Sequence, residues 1–386
     1  MKITCLISLD ALRIMIFILV QVLIALGNVF LLKKLEKFPK GLTTLKVSVL
    51  IPVRNEELTI KECLNSILQQ SYENFEVLVL DDNSQDKSLE IISSIKSDKL
   101  RVFKGEDLPW GWNGKAWASH QLAKQANGDL LLFTDADTKH HKDTLSYAVS
   151  ALVKTKADLL TIINKNEVKS LGEKVTVPFG TWSILTFLPL IVAYLWRKNR
   201  ALAAANGKFL LLTRTCYKNI GGYEQVKDNA IEDVALAKLV KACGYRWRIF
   251  DGTNSVSTRM YHSFQEALEG FTKNYFALFG YRILIALFVW FWIAMITFLP
   301  LIRIGIGLIN MNYNSTFLYS VISVLACWFL WLILAIKFKY PWYQFLLYPL
   351  TNGIAIFIGL RSIVFTLTRK TTWKGRRLIH SKIRWL

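Results

Sequence analysis

The sequence predicts an α/β domain with a mostly parallel sheet, carried between apolar N-terminal and C-terminal segments that read as transmembrane helices. Three observations predict it. Hydrophobic residues make up 53% of the 386-residue chain and the mean hydropathy is +0.31, too apolar for an ordinary soluble protein. Residues 11–32 and three runs after Tyr281 approach or exceed the roughly 20 apolar residues that a bilayer core requires. Between them, short β-branched runs alternate with helical stretches.

Residues 11–32 (ALRIMIFILVQVLIALGNVFLL) are followed by no small-residue cleavage site, so residues 1–40 read as an uncleaved anchor rather than a signal peptide. Lys33, Lys34, Lys37 and Lys40 place the next domain in the cytoplasm by the positive-inside rule. That domain spans 41–275. VSVLIP, FEVLVLDD, LRVFKG and DLLLFTDAD read as strands, with helices ELTIKECLNSILQQ, SLEIISSIK and AWASHQLAKQANG between them. Such a sheet holds ligands at its strand carboxyl ends, where Asp81-Asp82 and Asp135/Asp137 fall.

Residues 178–196 are apolar but interrupted by Pro178 and Pro189. They read as an interfacial helix, because a span there would split the domain across the bilayer. Residues 276–386 form a C-terminal membrane region with runs at 283–308, 316–336 and 342–366. NMNYNST carries no cation and reads as external; Lys337 and Lys339 return the chain inside. A third crossing would export Arg369, Lys370, Lys374, Arg376, Arg377, Lys382 and Arg384. Pro349, Asn352 and Gly353 interrupt that run, so a re-entrant or interfacial helix pair and a cytoplasmic basic tail are expected.

The formal charge of +20 is unevenly placed. The last acidic residue is Glu269, while residues 281–386 hold twelve Lys or Arg. Carboxylate chemistry is therefore confined to the first 269 residues. Cations lying between apolar runs suit anionic lipid headgroups and argue against nucleic acid. Cys5, Cys63, Cys216, Cys243 and Cys327 have no metal or disulfide spacing and read as reduced.

Asp135-Ala136-Asp137 places two carboxylates at a strand end, able to meet one Mg²⁺ or Mn²⁺ and ribose hydroxyls. A solvated turn is the bland alternative. Asn55, Ser84 and Asp86, in the acidic segments after the first two strands, can cap the following helices. Glu232-Asp233 opens an amphipathic helix, where acids also suit the helix dipole. His140-His141 reads as a turn or, less simply, as metal ligands. Trp110, Trp112 and Trp117 can be core or sugar-stacking.

PVRNEE, VLVLDDNSQD, FTDADT and AIEDVALAKLV, in this order, resemble family 2 glycosyltransferases with the GT-A (Rossmann-like) fold over residues 46–275. LPWGWNGKAWASHQLA, ANGKFLLLTR and a TWKGR tail resemble the membrane glycosyltransferases of carotenoid and hopanoid pathways. The resemblance implies a nucleotide-sugar site at Pro52, Glu56, Asp82, Lys115 and Asp135, with Asp82 toward the base. It implies a Mg²⁺ or Mn²⁺ ligand in Asp137, and a catalytic pair Glu232 and Asp233 in which Asp233 is the general base. Lys115, at a helix start, is expected to reach diphosphate oxygens, and Lys273 to touch the diphosphate. The resemblance also implies a lipid acceptor and an integral protein of a bacterial cell membrane. HSFQEALEGFTKN lacks the RW motif of processive synthases, which favours single transfers. Sphingoid or polyprenyl-phosphate acceptors, a polysaccharide synthase and a non-catalytic membrane protein are the alternatives.

Overall fold

The computed structural model describes residues 2–379 and 382–386, with side chains from residue 8 onward. The side chain of Cys5 therefore lies outside the described residues. Helix α1 (Lys2–Leu31) leads into the sheet domain. There follow β1 (Val47–Val53), α2 (Ile60–Leu68), β2 (Phe75–Asp81), α3 (Ser88–Ser94), β3 (Leu100–Lys104), α4 (Gly114–Gln125) and β4 (Leu130–Phe133). β1 and β2 are apolar runs buried on both faces, as parallel strands covered by helices must be. Ser48 is tolerated inside β1 because its Oγ donates to Glu76 (2.6 Å) and accepts from Gly128 N (2.7 Å).

The second half of the domain contains β5 (Thr138–His140), α5 (Thr144–Thr155), β6 (Leu159–Asn166), α6 (Leu171–Lys174), α7 (Pro178–Phe187), α8 (Leu190–Leu195), β7 (Leu210–Thr213), α9 (Arg214–Asn219), α10 (Glu232–Ala242), β8 (Trp247–Thr258) and α11 (Phe264–Leu278). The strands form one eight-stranded sheet in the order β3-β2-β1-β4-β7-β6-β8-β5. β3, β2, β1 and β4 run parallel, β7 is antiparallel to both its neighbours, and β5 is antiparallel to β8. The expected mostly parallel sheet is therefore present, with a mixed second half. His140 corrects the expectation of a turn: it sits buried in β5, against Thr134 Oγ1 at 3.0 Å. Burial pushes its pKa down to about 3, so the ring stays neutral.

The membrane region comprises α12 (Ile283–Ile309), α13 (Ser315–Phe338) and α14 (Tyr348–Leu367), followed by β9 (Thr372–Trp373) and β10 (Arg376–Arg377). Among the described residues, four helices are long and apolar enough to cross a bilayer: Ser8–Leu31, Ile283–Ile309, Ser315–Phe338 and Tyr348–Leu367. Leu23, Phe30, Phe288, Phe291, Ile306 and Phe357 stand exposed on their outer faces. Exposed apolar side chains of this size on such helices suit a membrane environment.

The expected helix pair over 342–366 is corrected. α14 is one continuous helix, and Pro349 sits in its first turn, where the missing N–H costs nothing. Both its flanks touch the sheet domain: Gln344 Nε2 donates to Lys174 O (2.9 Å), and Arg361 Nη1 donates to Thr272 Oγ1. The 178–196 segment is two short helices, broken at Leu188-Pro189. Asn28 of α1 holds that break, donating to the carbonyls of Leu185 (2.8 Å) and Leu188 (2.7 Å) and accepting from Leu190 N (2.9 Å). Lys337 at the end of α13 pairs with fully buried Asp251 of β8 (3.0 Å) and donates to Leu32 O, so the ends of α1 and α13 are pinned to the sheet.

Candidate active site

The acidic motifs lie on loops that the sheet brings to one edge. β1 and β2 are paired in register from Val47–Phe75 to Val53–Asp81, so Arg54-Asn55-Glu56 and Asp82-Asn83 emerge side by side. The expected helix capping is largely replaced by cross-bracing of the two loops. Asn55 N donates to Ser84 Oγ (3.0 Å), Gln85 N to Asn55 Oδ1 (2.8 Å), Glu56 N to Ser88 Oγ (2.7 Å) and Glu57 N to Asp86 Oδ2 (3.1 Å). Asn55 and Asn83 adopt φ of 52° and 53°, a left-handed backbone that asparagine tolerates well.

β4 ends at Phe133, and Asp135 and Asp137 occupy the turn that follows. Both carboxylates converge on one point, which is filled by the Lys208 ammonium: Asp137 Oδ2 lies at 2.5 Å and Asp135 Oδ2 at 3.2 Å. Lys115 bridges Asp135 Oδ1 (2.7 Å) and Glu232 Oε1 (2.8 Å). It thus stands among the acids, joining the start of α4 to the start of α10. Burial alone would raise the Asp135 pKa, but Lys115 and Lys208 outweigh it and hold the carboxyl well below the usual range.

Asp233 accepts hydrogen bonds from Gly207 N (2.6 Å) and Val234 N (2.7 Å). Burial, reinforced by Glu232, nonetheless raises its pKa to about 6, suiting a base that works near neutrality. Gly207 is required here by close approach. A Cβ on it would sit 2.9 Å from Lys115 Nζ, 3.3 Å from Asp233 Oδ2 and 3.5 Å from Asp135 Oδ2. The sequence motifs carried no sign of Lys208 as a partner of the Asp135/Asp137 pair. The signal available was its place in Asn206-Gly207-Lys208, just ahead of β7.

A cavity of about 810 Å³ contains Pro52, Glu56, Asp82, Lys115, Asp135, Asp137, Glu232 and Asp233, so every expected site residue lines the same space. Its volume suits a nucleotide-sized ligand. Lys273 lines it too. Burial lowers the Lys273 pKa to about 8, and its ammonium lies 5.3 Å from the Trp373 ring. Trp112 and Trp117 pack edge-on at 5.0 Å with Trp112 buried, whereas Trp110 is 98% exposed. Core packing therefore accounts for Trp112.

Among the described residues no group of three or more His, Cys, Asp or Glu is arranged around a metal position. The donor chemistry still fits one divalent cation. Asp135 and Asp137 already share a single cationic centre, and the four carboxylates Asp135, Asp137, Glu232 and Asp233 cluster around the two ammonium groups of Lys115 and Lys208.

Residues 48–191 match the family described as Glycosyl transferase family 2. The 4,4'-diaponeurosporenoate glycosyltransferase of Staphylococcus haemolyticus (strain JCSC1435) is 28% identical over 248 residues, covering 62% of this chain and 63% of that protein. The protein of the same name from Staphylococcus aureus (strain USA300) is 27% identical over 231 residues, 59% of this chain and 60% of that one. The chain thus spans about three fifths of the length of these curated relatives. Among solved structures, a mannosyltransferase from Pyrobaculum calidifontis in complex with GDP-Man and Mn²⁺ superposes with a TM-score of 0.53 at 16% identity, over 94% of this chain and 99% of that one. Residues 48–191 are thus similar to the Glycosyl transferase family 2 model, within a GT-A-type fold that carries helices long and apolar enough to cross a bilayer at both ends.

Proposed function

We propose that the protein is a membrane-bound, inverting and non-processive glycosyltransferase. It moves a hexose from a nucleotide sugar, UDP-glucose first among candidates, to a lipid-soluble, carotenoid-like isoprenoid. The observation that carries this reading is the composition of the cavity. Its floor is the carboxylate–lysine cluster, and its wall includes Arg361 and Phe365 of apolar helix α14. A polar donor and an apolar acceptor can meet there. The similarity to relatives named for a carotenoid acceptor supports the same assignment.

In this reading Pro52, Glu56 and Asp82 hold the nucleoside end of the donor. Asp137 is the metal ligand, and Asp135 holds ribose or the cation's water. A bound Mg²⁺ or Mn²⁺ supplies charge neutralisation at the leaving diphosphate. Lys115 stands at the centre of the acids and Lys273 faces the cavity as a cation for the same diphosphate. Asp233 takes the proton of an acceptor hydroxyl, with Glu232 beside it raising its basicity. An acceptor carboxylate is already ionised near neutral pH and needs no such base. The cations beside the apolar runs favour the sheet domain on the cytoplasmic face, and the bacterial sources of the relatives support a bacterial cell membrane.

The test is a screen of purified, detergent-solubilised protein with Mn²⁺ and a panel of nucleotide sugars, with and without carotenoid alcohols and acids. Release of nucleoside diphosphate together with a glycosylated lipid is the expected result. Transfer only to sphingoid or polyprenyl-phosphate lipids would reassign the acceptor. No turnover of any nucleotide sugar would remove the enzyme reading.

A further inference from the structure

In the sequence the C-terminal tail shows basic charge and the TWKGR motif, neither of which says where the tail sits. The structure gives it a defined shape and a defined seat. β9 and β10 pair Trp373 with Arg376 and Thr372 with Arg377 around a two-residue turn. Lys374 and Gly375 take φ of 43° and 79°, the paired left-handed geometry of a tight hairpin turn. A hairpin this short is not stable alone in water, so its docking holds it.

The seat is the rim of the cavity. Lys374 Nζ donates to Arg54 O (2.7 Å) and Asn55 O (3.1 Å) and pairs with Glu56. Arg54 Nε donates back to Lys374 O at 3.3 Å. Arg376 Nη1 lies 2.6 Å from Asp82 Oδ2. Asn113, just before α4, exchanges two 2.9 Å hydrogen bonds with the backbone of Ile379. Trp373 fills the space between Lys273 and the start of α4. The hairpin therefore touches the β1–α2 loop, the β2–α3 loop, the β3–α4 loop and α11, four of the elements that bound the cavity.

Resting on the donor reading above, we infer that the hairpin of residues 371–379 is a wall of the donor site, in which Arg376 and Lys374 are positioning residues for Asp82 and Glu56. Two features favour a wall over a plug. The cavity keeps about 810 Å³ with the hairpin seated, and Lys370 to Gly375 are part of its lining. Asp82 is 2% exposed, and while Arg376 takes its Oδ2, its Oδ1 is buried without a hydrogen-bond partner. A carboxylate so buried needs a fixed cation beside it, and Arg376 supplies that cation. The guanidinium fixes the carboxylate plane of Asp82. The lysine does the same for Glu56 while anchored to two backbone carbonyls. Donor binding and hairpin docking are then coupled: each stabilises the other.

The experiment uses the full chain in detergent with Mn²⁺, and UDP, GDP and UDP-glucose as probes. Binding is measured by calorimetry for wild type, Arg376→Gln, Arg376→Lys and Lys374→Gln, with thermal unfolding of each. Tryptic cleavage after Lys374, Arg376 and Arg377 is followed in the wild type with and without nucleotide. The expected result is at least tenfold weaker nucleotide binding in Arg376→Gln, partial recovery in Arg376→Lys, and unfolding temperatures within a few degrees of wild type. Nucleotide should also slow cleavage of the tail. Unchanged binding in Arg376→Gln, or binding without protection, overturns the wall. Tighter binding overturns it in favour of a plug. A wild type that binds none of the probes overturns the donor reading itself, and the wall with it.

Discussion

The cavity holds two sets of carboxylates that are neutralised in different ways. The inner set, Asp135, Asp137 and Glu232 with Asp233 beside them, is paired with Lys115 and Lys208, both supplied by the sheet domain, Lys208 buried and Lys115 a quarter exposed. The outer set, Glu56 and Asp82, is balanced by Lys374 and Arg376, which lie 318 and 294 positions further along the chain. The inner pairs are built with the domain core. The outer pairs exist only when the tail returns from the membrane helices. The difference teaches that the inner cluster belongs to the sheet, while the outer pairs depend on the C-terminal helices being in place.

The largest expected effect tests the inner set. Asp233→Asn should lower transfer to a hydroxyl acceptor by about 10²–10⁴-fold, the usual contribution of a positioned base, with the unfolding temperature preserved. Full activity in that variant would point to an acceptor that arrives ionised. In the wild type, transfer to a hydroxyl should fall as pH drops through about 6, because Asp233 is then protonated. The acidic limb of the pH–rate profile should be absent from the Asn variant.

Lys208→Met should separate the inner set from the outer one by stability. It leaves Asp135 and Asp137 without their shared cation, at a cost of about 3–5 kcal/mol for a broken buried pair. Thermal unfolding in chelator should show the loss. Added Mn²⁺ should restore most of it, since the metal supplies the missing charge; a variant equally unstable in Mn²⁺ would place Lys208 in a purely structural role. Asn28→Ala should cost roughly 1–3 kcal/mol through three buried hydrogen bonds at the 185–190 break. Thermal unfolding in detergent should show that loss. The smallest effect concerns the outer pairs, which remain about a quarter exposed at Lys374 and Glu56. Raising salt from about 0.05 M to about 0.5 M should screen them and speed tryptic cleavage of the tail several-fold, with no change in the unfolding temperature of the sheet domain.

Much of the first half was legible in the sequence because its signals are local. VSVLIP, FEVLVLDD and LRVFKG are short apolar runs that become strands within a residue or two of the expected place, whereas DLLLFTDAD is a strand only over Leu130–Phe133, with Asp135 and Asp137 in the turn beyond it. The acids that follow them had to emerge at strand carboxyl ends, as parallel strands joined by helices dictate. The second half was less legible. β7 reverses direction, β5 is three residues long, and neither leaves a periodic pattern long enough to read. Pro349 resembles a break because its effect depends on where the helix starts. That start is set by the short 3₁₀ turn at Trp342–Phe345 and by the contacts of Gln344, which leave no mark in the sequence.

The sequence by itself determined which part of the chain could do carboxylate chemistry, since no acid lies beyond Glu269 and the motifs stand at strand ends. It also marked four stretches long and apolar enough to cross a bilayer. Only the tertiary structure decided which cation meets which acid. Lys208 and Asp137, or Arg376 and Asp82, are separated by 71 and 294 positions. An ion pair acts over a few ångströms in space and leaves no periodicity along the chain, so its partners become visible only once sheet, helices and tail are brought together.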